Sequence, residues 1–405
     1  MTDWPSAADF ATAPDAARRA SWLESDRTAR PARLARLRDR FAGAGIDAYF
    51  GIRPEHMRYL TGFSLDEGEE KSAGHSGRFL VSVDEVVVLA DSRYTIQVRR
   101  QAADARPFEA YGDLAARWPE LVGSAGARRI GFEAELISHA LWQRLAQAAP
   151  QVELVPIEGW VEADRAVKDP AEIERIAAAC AVADRALAAL LPEIRPGRTE
   201  ADLALRLEWL IRTGGAEALA FDVACLSGPE AALPHGAPGD RPVLDGTVLL
   251  FDFGAQVEGY RSDMTRTLFV GGPTARDLDI YELVAKAQAA AIELLRTSLE
   301  RGAPLPSGRS LDAAARAVIS AGGHGQHFGH GTGHGIGLAT HEAPSLGRTA
   351  SDEPLPSPTV FSVEPGIYLE GEMGVRIEDL VLLDVTRRQI ECLTRFPRDV
   401  LVVGG

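Results

Sequence analysis

The chain has 405 residues, more than the roughly 250–300 that one hydrophobic core organises, so two domains are expected. With 46% hydrophobic and 25% charged residues it has the composition of a folded globular protein, and wholesale disorder is excluded. A net charge of −15 argues against a surface built on phosphate contacts with nucleic acid. The acidity is uneven: residues 1–165 hold 21 basic and 25 acidic residues, and residues 166–405 hold 22 and 33. Cys180, Cys225 and Cys392 are widely spaced and form no C-x-x-C, so reduced thiols are expected rather than a disulfide framework. No apolar run approaches about 18 residues, so no membrane-spanning helix is expected. The N-terminus lacks a basic stretch followed by an apolar one, so it is not read as a secretory signal, and a cytoplasmic location is expected.

Residues 1–26 read as an Ala-rich polar arm. From 27 to 165 helical and strand patterns alternate, giving an α/β domain. Leu34, Leu37 and Phe41 fall at helical spacing and Gly43 and Gly45 stop the run. DAYFGI is a short strand, and RFLVSV and EVVVLA, separated by Asp84, read as a hairpin. RYTIQVRRQAA is helical, RRIGFE and QVELVPI are strands, and SHALWQRLAQAA is a helix between them. No Gly-rich phosphate loop is present, so nucleotide binding is not expected. A second domain spans 166–405. It opens with Asp169 as N-cap, Pro170 as first helical residue and Glu172 completing a capping box. A further helix starts at Thr199 and stops at Gly214. Strand-like VLLFDFG, TRTLFVGG, TVFSVEPGIYL and GVRIEDLVLL then mix with helices DIYELVAKAQAAAIELLRTSLE and SLDAAARAVISA, giving an α+β domain.

Four segments of that domain place an acid or imidazole where an ordinary strand would not. VLLFDFGAQVEGYRSDMTRTLFV reads as a hairpin turning at Glu258–Gly259, with Asp252 and Asp263 on opposite arms. Taken alone, Asp252 also fits a strand-ending turn cap; inside an apolar strand it is costly unless paired or metal-bound. In GHGTGHGIGL glycine alternates strictly, which excludes a helical site because each Gly costs about 1 kcal/mol relative to Ala in a helix. An extended chain there puts His330, Thr332 and His334 on one face and leaves a bare Gly face for close backbone approach. Glu364 ends an apolar strand before Pro365. Arg376 and Glu378 share a face in GVRIEDLVLL, a pattern that also fits a surface ion pair. If Asp252, Asp263, Glu364 and Glu378 converge, each like-charge pair at 4 Å costs about 4 kcal/mol at an effective dielectric of 20. Protonation or cations must relieve this. Two divalent ions balance four carboxylates, and His334 adds a neutral nitrogen. Such a donor set suits Mn²⁺, Co²⁺, Fe²⁺ or Zn²⁺, and an open two-metal site of this kind is hydrolytic in character.

In this order and spacing, the segments resemble the pita-bread metallopeptidases, the group of Xaa-Pro aminopeptidase, prolidase and methionine aminopeptidase. The resemblance covers nearly the whole chain and includes a DSRY segment at Asp91–Tyr94. It implies an α/β creatinase-like N-terminal domain followed by an α+β C-terminal pita-bread domain. It implies that Asp252 chelates one metal ion, that Asp263 and Glu378 bridge two, and that His334 and Glu364 complete the other. Glu364 is also the family's candidate general base. His235 in LPHG and His341 in LATHEAP are implied to contact the substrate and stabilise the oxyanion or shuttle a proton. The resemblance also implies that His330 lies at the pocket wall and that Arg376 orients a carboxylate ligand or closes the site; Tyr368 of EPGIY is a candidate for substrate binding and for holding that shell, and Phe221 is a candidate wall for a proline ring.

Methionine aminopeptidases usually lack the long N-terminal domain and creatinase lacks the ligands, so having both points to the Xaa-Pro branch. The implied activity is a dinuclear exopeptidase that hydrolyses the bond between an N-terminal residue and a following proline. Mn²⁺ is the first choice of cofactor, with Co²⁺ or Zn²⁺ as alternatives. Partners are proline-containing peptides and a second copy of the chain in a homodimer, with no nucleic acid and no membrane. An Xaa-Pro dipeptidase is the alternative, with Arg348 a candidate to neutralise a free carboxylate. A non-catalytic peptide-binding module is disfavoured because all five ligands are present.

Overall fold

A computed structural model describes residues 4–65, 73–109 and 112–404. The chain divides into two units, Ala20–Arg165, and Met1–Arg19 together with Ala166–Gly405. In the first unit, strands β1 (Ala48–Gly51), β2 (Phe79–Ser82), β3 (Val86–Ala90), β4 (Arg106–Glu109), β5 (Arg129–Glu133) and β6 (Glu153–Ile157) form one sheet in the order β4-β3-β2-β1-β5-β6. The expected hairpin is the antiparallel pair β2–β3, whereas β1–β5, β5–β6 and β3–β4 are parallel. Strands β1 to β3 are wholly buried apolar runs, as strands covered on both faces are. Phe50, Leu80 and Val87 pack with Trp118, Leu121 and Leu145 of the helices Leu114–Ser124 and His139–Ala148.

Of the polar arm expected over residues 1–26, residues 16–26 are helical instead, with Trp22 buried. A helix runs from Ala16 to Asp39, because Asp15 accepts from the Arg18 amide at 2.8 Å and the Ala-rich stretch that follows propagates a helix. Ahead of it, the chain lies on the second unit. Trp4 donates to the Val402 carbonyl at 2.9 Å, Arg185 donates to the Ala7 carbonyl at 2.7 Å, and Phe10 stacks on Phe396.

The second unit contains β7 (Ala218–Leu219), β8 (Ala224–Ser227), β9 (Thr247–Phe253), β10 (Ala255–Val257), β11 (Tyr260–Arg261), β12 (Met264–Val270), β13 (Gly333–Gly335), β14 (Glu342–Leu346), β15 (Thr359–Val363), β16 (Gly366–Leu369), β17 (Met373–Arg376), β18 (Asp379–Asp384), β19 (Gln389–Cys392) and β20 (Val402–Val403). They form sheets β20-β12-β9-β8 and β14-β13-β15-β18-β19, with smaller sheets β11-β10-β7 and β16-β17. The helix Pro170–Leu190 opens with the expected box: Asp169 accepts from the Glu172 amide at 2.9 Å and Glu172 accepts from the Asp169 amide at 2.8 Å. The helix Glu200–Thr213 starts after Thr199 and ends before Gly214, also as expected. Helices Ala275–Arg301 and Gly308–Ala321 bury Val284, Ala287, Ala291, Leu311 and Ala315 against Phe361 and Val363 of β15, Val381 of β18 and Ile377 between β17 and β18. This core backs the strand ends on which the acidic residues stand.

Two local devices set those ends. Glu258 (φ 47°) and Gly259 (φ 77°) both take left-handed backbone, the requirement of a two-residue hairpin turn whose twist matches its strands. That turn brings the two arms back in register, with Asp252 opposite Thr265. The glycines at 333 and 335 serve close approach: a Cβ at Gly333 would stand 1.9 Å from the Ser362 carbonyl oxygen, and one at Gly335 2.1 Å from that of Ala343. Gly329 has no such neighbour within 4 Å. Gly333→Ala is therefore expected to destabilise the unit by at least the about 1–3 kcal/mol typical of overpacking, while Gly329→Ala is tolerated. Thermal denaturation of both variants checks this; equal melting temperatures contradict it.

Candidate metal centre

Each acidic residue of interest stands where an apolar strand starts or ends. Asp252 is the penultimate residue of β9, Asp263 immediately precedes β12, Glu364 immediately follows β15, and Glu378 immediately precedes β18. The strands bury their apolar residues and the chain turns at these points, so the carboxylates leave the core together. His334 is the centre of β13, which pairs with β15 through Gly335 and Phe361. Ligand atoms of Asp263, His334 and Glu378 lie within 4.8 Å of one another. His334 Nε2 is 3.2 Å from Glu364 Oε1 and 3.7 Å from Asp263 Oδ2. Its Nδ1 faces the Gly335 carbonyl at 3.1 Å, which turns Nε2 towards the acids.

Asp252 takes a 2.5 Å bond from Arg376 Nη2. The same guanidinium donates from Nε to the Thr265 hydroxyl at 2.8 Å and from Nη1 to the Tyr368 hydroxyl at 2.9 Å. Thr265 in turn donates to Glu378 Oε2 at 2.7 Å, so one chain of bonds joins Asp252 to Glu378. Ser362 Oγ donates to Glu364 Oε1 at 3.1 Å and accepts from the His334 amide at 3.0 Å. These partners leave oxygens over. Asp252 Oδ1, Asp263 Oδ1 and Glu378 Oε1 are buried and make no hydrogen bond among the described residues. Buried unpaired carboxylate oxygens are rare because each carries an unrelieved desolvation cost.

The electrostatics point the same way. Burial, reinforced by Glu378 and Asp252, pushes Asp263 well above the usual carboxylate range. Burial, reinforced by Glu364 and Asp252, does the same to Glu378. Asp252 is raised by burial in spite of Arg376. Glu364 escapes: burial pushes it up, but its hydrogen bond with His334 and the charge of that ring hold it down at about 2. His334 is correspondingly raised to about 9, its bond to Glu364 overcoming burial. Without cations burial thus shifts Asp252, Asp263 and Glu378 towards their protonated forms, and His334 carries a proton at pH 7. Oxygen donors in excess, one imidazole and three orphaned oxygens on one wall fit divalent cations in place of those protons.

A cavity of about 410 Å³ opens over this wall. Asp252, Asp263, His334, Glu364 and Glu378 all line it, together with His235, His330, His341, Arg376 and Phe221. The His341 ring lies 4.1 Å from that of His334, and burial together with the His334 charge lowers its pKa. His330 bonds the Tyr368 hydroxyl at 2.7 Å. Three expectations need correcting. Tyr368 does not line the cavity; it stands behind His330 and Arg376, where burial raises it to about 12. Thr332 does not share the face of His330 and His334. Bends at 330 and 332 break the alternation, and its hydroxyl bonds the buried Asp312 at 2.9 Å. Arg348 is exposed and absent from the lining. Thr265, Ser362 and Asp312 were not singled out from the sequence, although a threonine within apolar TRTLFV was a visible signal for the first.

Residues 33–167 match the creatinase/prolidase N-terminal domain and residues 174–384 match metallopeptidase family M24. The chain belongs to metallopeptidase family M24. It is 31% identical to an Xaa-Pro dipeptidase of Pyrococcus furiosus over 88% of this chain and 95% of that one. Among solved structures it resembles an Xaa-Pro dipeptidase from Bacillus anthracis (33% identical, TM-score 0.82, 92% of this chain and 99% of that one). It also resembles an X-Pro aminopeptidase from Thermotoga maritima (36% identical, TM-score 0.76, 89% and 98%). A creatinase-type N-terminal domain followed by a pita-bread metallopeptidase domain is therefore the architecture of this M24 chain, as the sequence implied, and divalent metal ions are its cofactors. No helix among the described residues is long and apolar enough to cross a membrane.

Because His334 is raised to about 9, metal-free protein holds a proton at pH 7 that ligation must expel, and the upward shifts of Asp252, Asp263 and Glu378 act in the same direction. The sign is fixed: lowering pH favours the protonated groups and weakens metal binding. Calorimetric Mn²⁺ titration in buffers of different ionisation enthalpy is expected to show net proton release, with affinity rising from pH 6 to pH 8. Binding without proton release contradicts this electrostatic account.

Proposed function

We propose that the chain is a two-metal exopeptidase that hydrolyses the peptide bond between an N-terminal residue and a following proline. The observation that carries the reading is the convergence of four carboxylates and one imidazole on one wall of a cavity that three further histidines, His235, His330 and His341, also line. Asp252, Asp263 and Glu378, with His334 and Glu364, would hold two cations, with Asp263 and Glu378 shared. When bound, the ions neutralise the acids, acidify water and polarise a carbonyl. Mn²⁺ is the ion proposed, with Co²⁺ or Zn²⁺ as alternatives. Residues 27–165 and 166–405 are assigned as the creatinase-like and catalytic domains, and the working form is taken to be a cytoplasmic homodimer.

In this reading Glu364 takes the proton of the attacking water, with Ser362 holding its carboxylate in place. His341, set against His334, donates to the oxygen that gains charge as the carbonyl is attacked. His235, on the cavity lining, donates there or passes the proton on to the proline nitrogen as it leaves. Phe221 and Pro234 give the pyrrolidine ring an apolar wall. Arg376 keeps Asp252 and, through Thr265, Glu378 in fixed orientation.

Substrate length follows from where a free carboxylate finds a partner. Arg376 is the one lysine or arginine in the cavity lining, and its guanidinium is engaged by Asp252, Thr265 and Tyr368. A dipeptide's carboxylate has no uncommitted cation there among the described residues. This supports an aminopeptidase acting on longer peptides. The dipeptidase names of the Pyrococcus and Bacillus relatives favour the second reading, in which Xaa-Pro itself is the substrate.

With Mn²⁺ loaded, Xaa-Pro-Yaa-Zaa is expected to turn over with higher kcat/KM than Xaa-Pro, and peptides without proline second are expected to turn over poorly. A preference for Xaa-Pro establishes the dipeptidase reading; equal turnover of peptides without proline removes both. Asp263→Asn is expected to abolish hydrolysis with an unchanged circular dichroism spectrum. His235→Ala is expected to lower kcat by about 10²-fold or more while keeping its metal. Loss of metal from His235→Ala contradicts its role at the reacting bond.

A further inference from the structure

We infer that Gln288, on the helix Ala275–Arg301, is a positioning residue that fixes the spacing of Glu364 and Glu378 through their backbones. The inference rests on reading those two carboxylates as metal ligands. Gln288 is 1% exposed and sits on the apolar face that carries Val284, Ala287 and Ala291. A polar side chain on such a face is unfavourable unless its partners are satisfied, and those partners are specific. Its amide nitrogen donates to Asp379 Oδ2 at 2.9 Å and to the carbonyls of Val363 at 3.1 Å and Ile377 at 3.3 Å, two N–H groups shared among three acceptors. Val363 and Ile377 are the residues immediately before Glu364 and Glu378.

The position explains why an amide is needed. The ladder between β15 and β18 ends with the pair Val363–Asp379. One residue further on, the two chains part: the Glu364 amide bonds the Thr332 carbonyl at 2.8 Å and the Glu378 amide bonds the Thr265 carbonyl at 3.2 Å. Gln288 enters at this fork and spans both chains. Asp379 extends the arrangement, since its other oxygen accepts from Arg266 at 2.7 Å, and Arg266 donates to the carbonyls of Glu378 and Thr265 at 2.5 and 2.9 Å. The peptide carrying Glu378 is thus held on one side by Gln288 and on the other by Arg266. Outer partners that orient metal ligands alter metal affinity by about 10–100-fold when removed. Here the outer partner acts on main chain rather than on the carboxylates, so a search for groups touching the ligands passes it over.

The test uses the full chain, stripped of metal and titrated calorimetrically with Mn²⁺, with the melting temperature of the metal-free protein measured alongside. Gln288→Met keeps the length of the side chain and removes its donors. It is expected to raise the Kd of the weaker Mn²⁺ ion by about 10-fold or more and to lower kcat more than it raises KM. Val284→Ala, on the same buried helix face but away from the fork, is expected to lower the melting temperature and leave both Mn²⁺ affinities at the wild-type values. Where Gln288→Met does not fold, Gln288→Asn, which withdraws the amide by one methylene, must show the same weakening. Wild-type Mn²⁺ affinities in a folded Gln288 variant, or a loss of affinity matched by Val284→Ala, overturn the inference. Fewer than two Mn²⁺ ions bound by the wild-type chain is a different result, and it defeats the two-metal reading instead.

Discussion

Like charges buried together repel, and the C-terminal unit is arranged around that repulsion. At an effective dielectric of 20 a pair of carboxylates 4 Å apart costs about 4 kcal/mol, a large part of the stability of a typical domain. The chain places four on one cavity wall. Arg376 answers Asp252 and His334 answers Glu364, while Glu378 receives only the Thr265 hydroxyl and burial with the neighbouring acids pushes both it and Asp263 up. A site built only for stability would pair or remove these groups, because an apolar replacement of similar shape costs less than an uncompensated buried charge. Their retention, with oxygens that no donor among the described residues reaches, is the physical sign of a site that works with cations.

The fold brings this about by cutting apolar strands short. Strands β9, β12, β15 and β18 bury their residues almost continuously and begin or end beside an acid, so that hydrophobic burial fixes the backbone and the side chain at the strand end is delivered to the cavity. The carboxylates therefore need no flexible loop to find one another. Glycines at 333 and 335 let β13 press against neighbouring carbonyls, which sets the depth at which His334 meets the acids. Thr265, Arg376 and Ser362 then restrict how each side chain can turn. Such restraint before metal arrives keeps a site from relaxing away from its working geometry.

Much of this was legible in the sequence, for reasons that are local. An acid at the edge of VLLFDFG or TVFSVEPG conflicts with its apolar neighbours, and the conflict marks a functional position. Asp169, Pro170 and Glu172 carry the whole signature of a helix start within four residues. The N-terminal helix was less legible, because an Ala-rich polar stretch such as AARRASW lacks the apolar periodicity that declares a packed face. Thr332 was misplaced because strict glycine alternation implies an extended chain but does not reveal where it bends. Gln288 and Thr265 could be seen only as isolated polar residues in apolar surroundings. Their partners lie 75 to 113 residues away in sequence, and no spacing rule reaches across that distance.

Everything in the C-terminal unit turns on where cations bind. Anomalous diffraction from a crystal of the protein soaked in Mn²⁺ locates them directly. The account predicts two peaks per chain on the cavity wall, both within coordination distance of Asp263 and Glu378, with Asp252 on one side and His334 and Glu364 on the other. A single peak, or density away from those five side chains while the metal-free ion pairs persist, contradicts it.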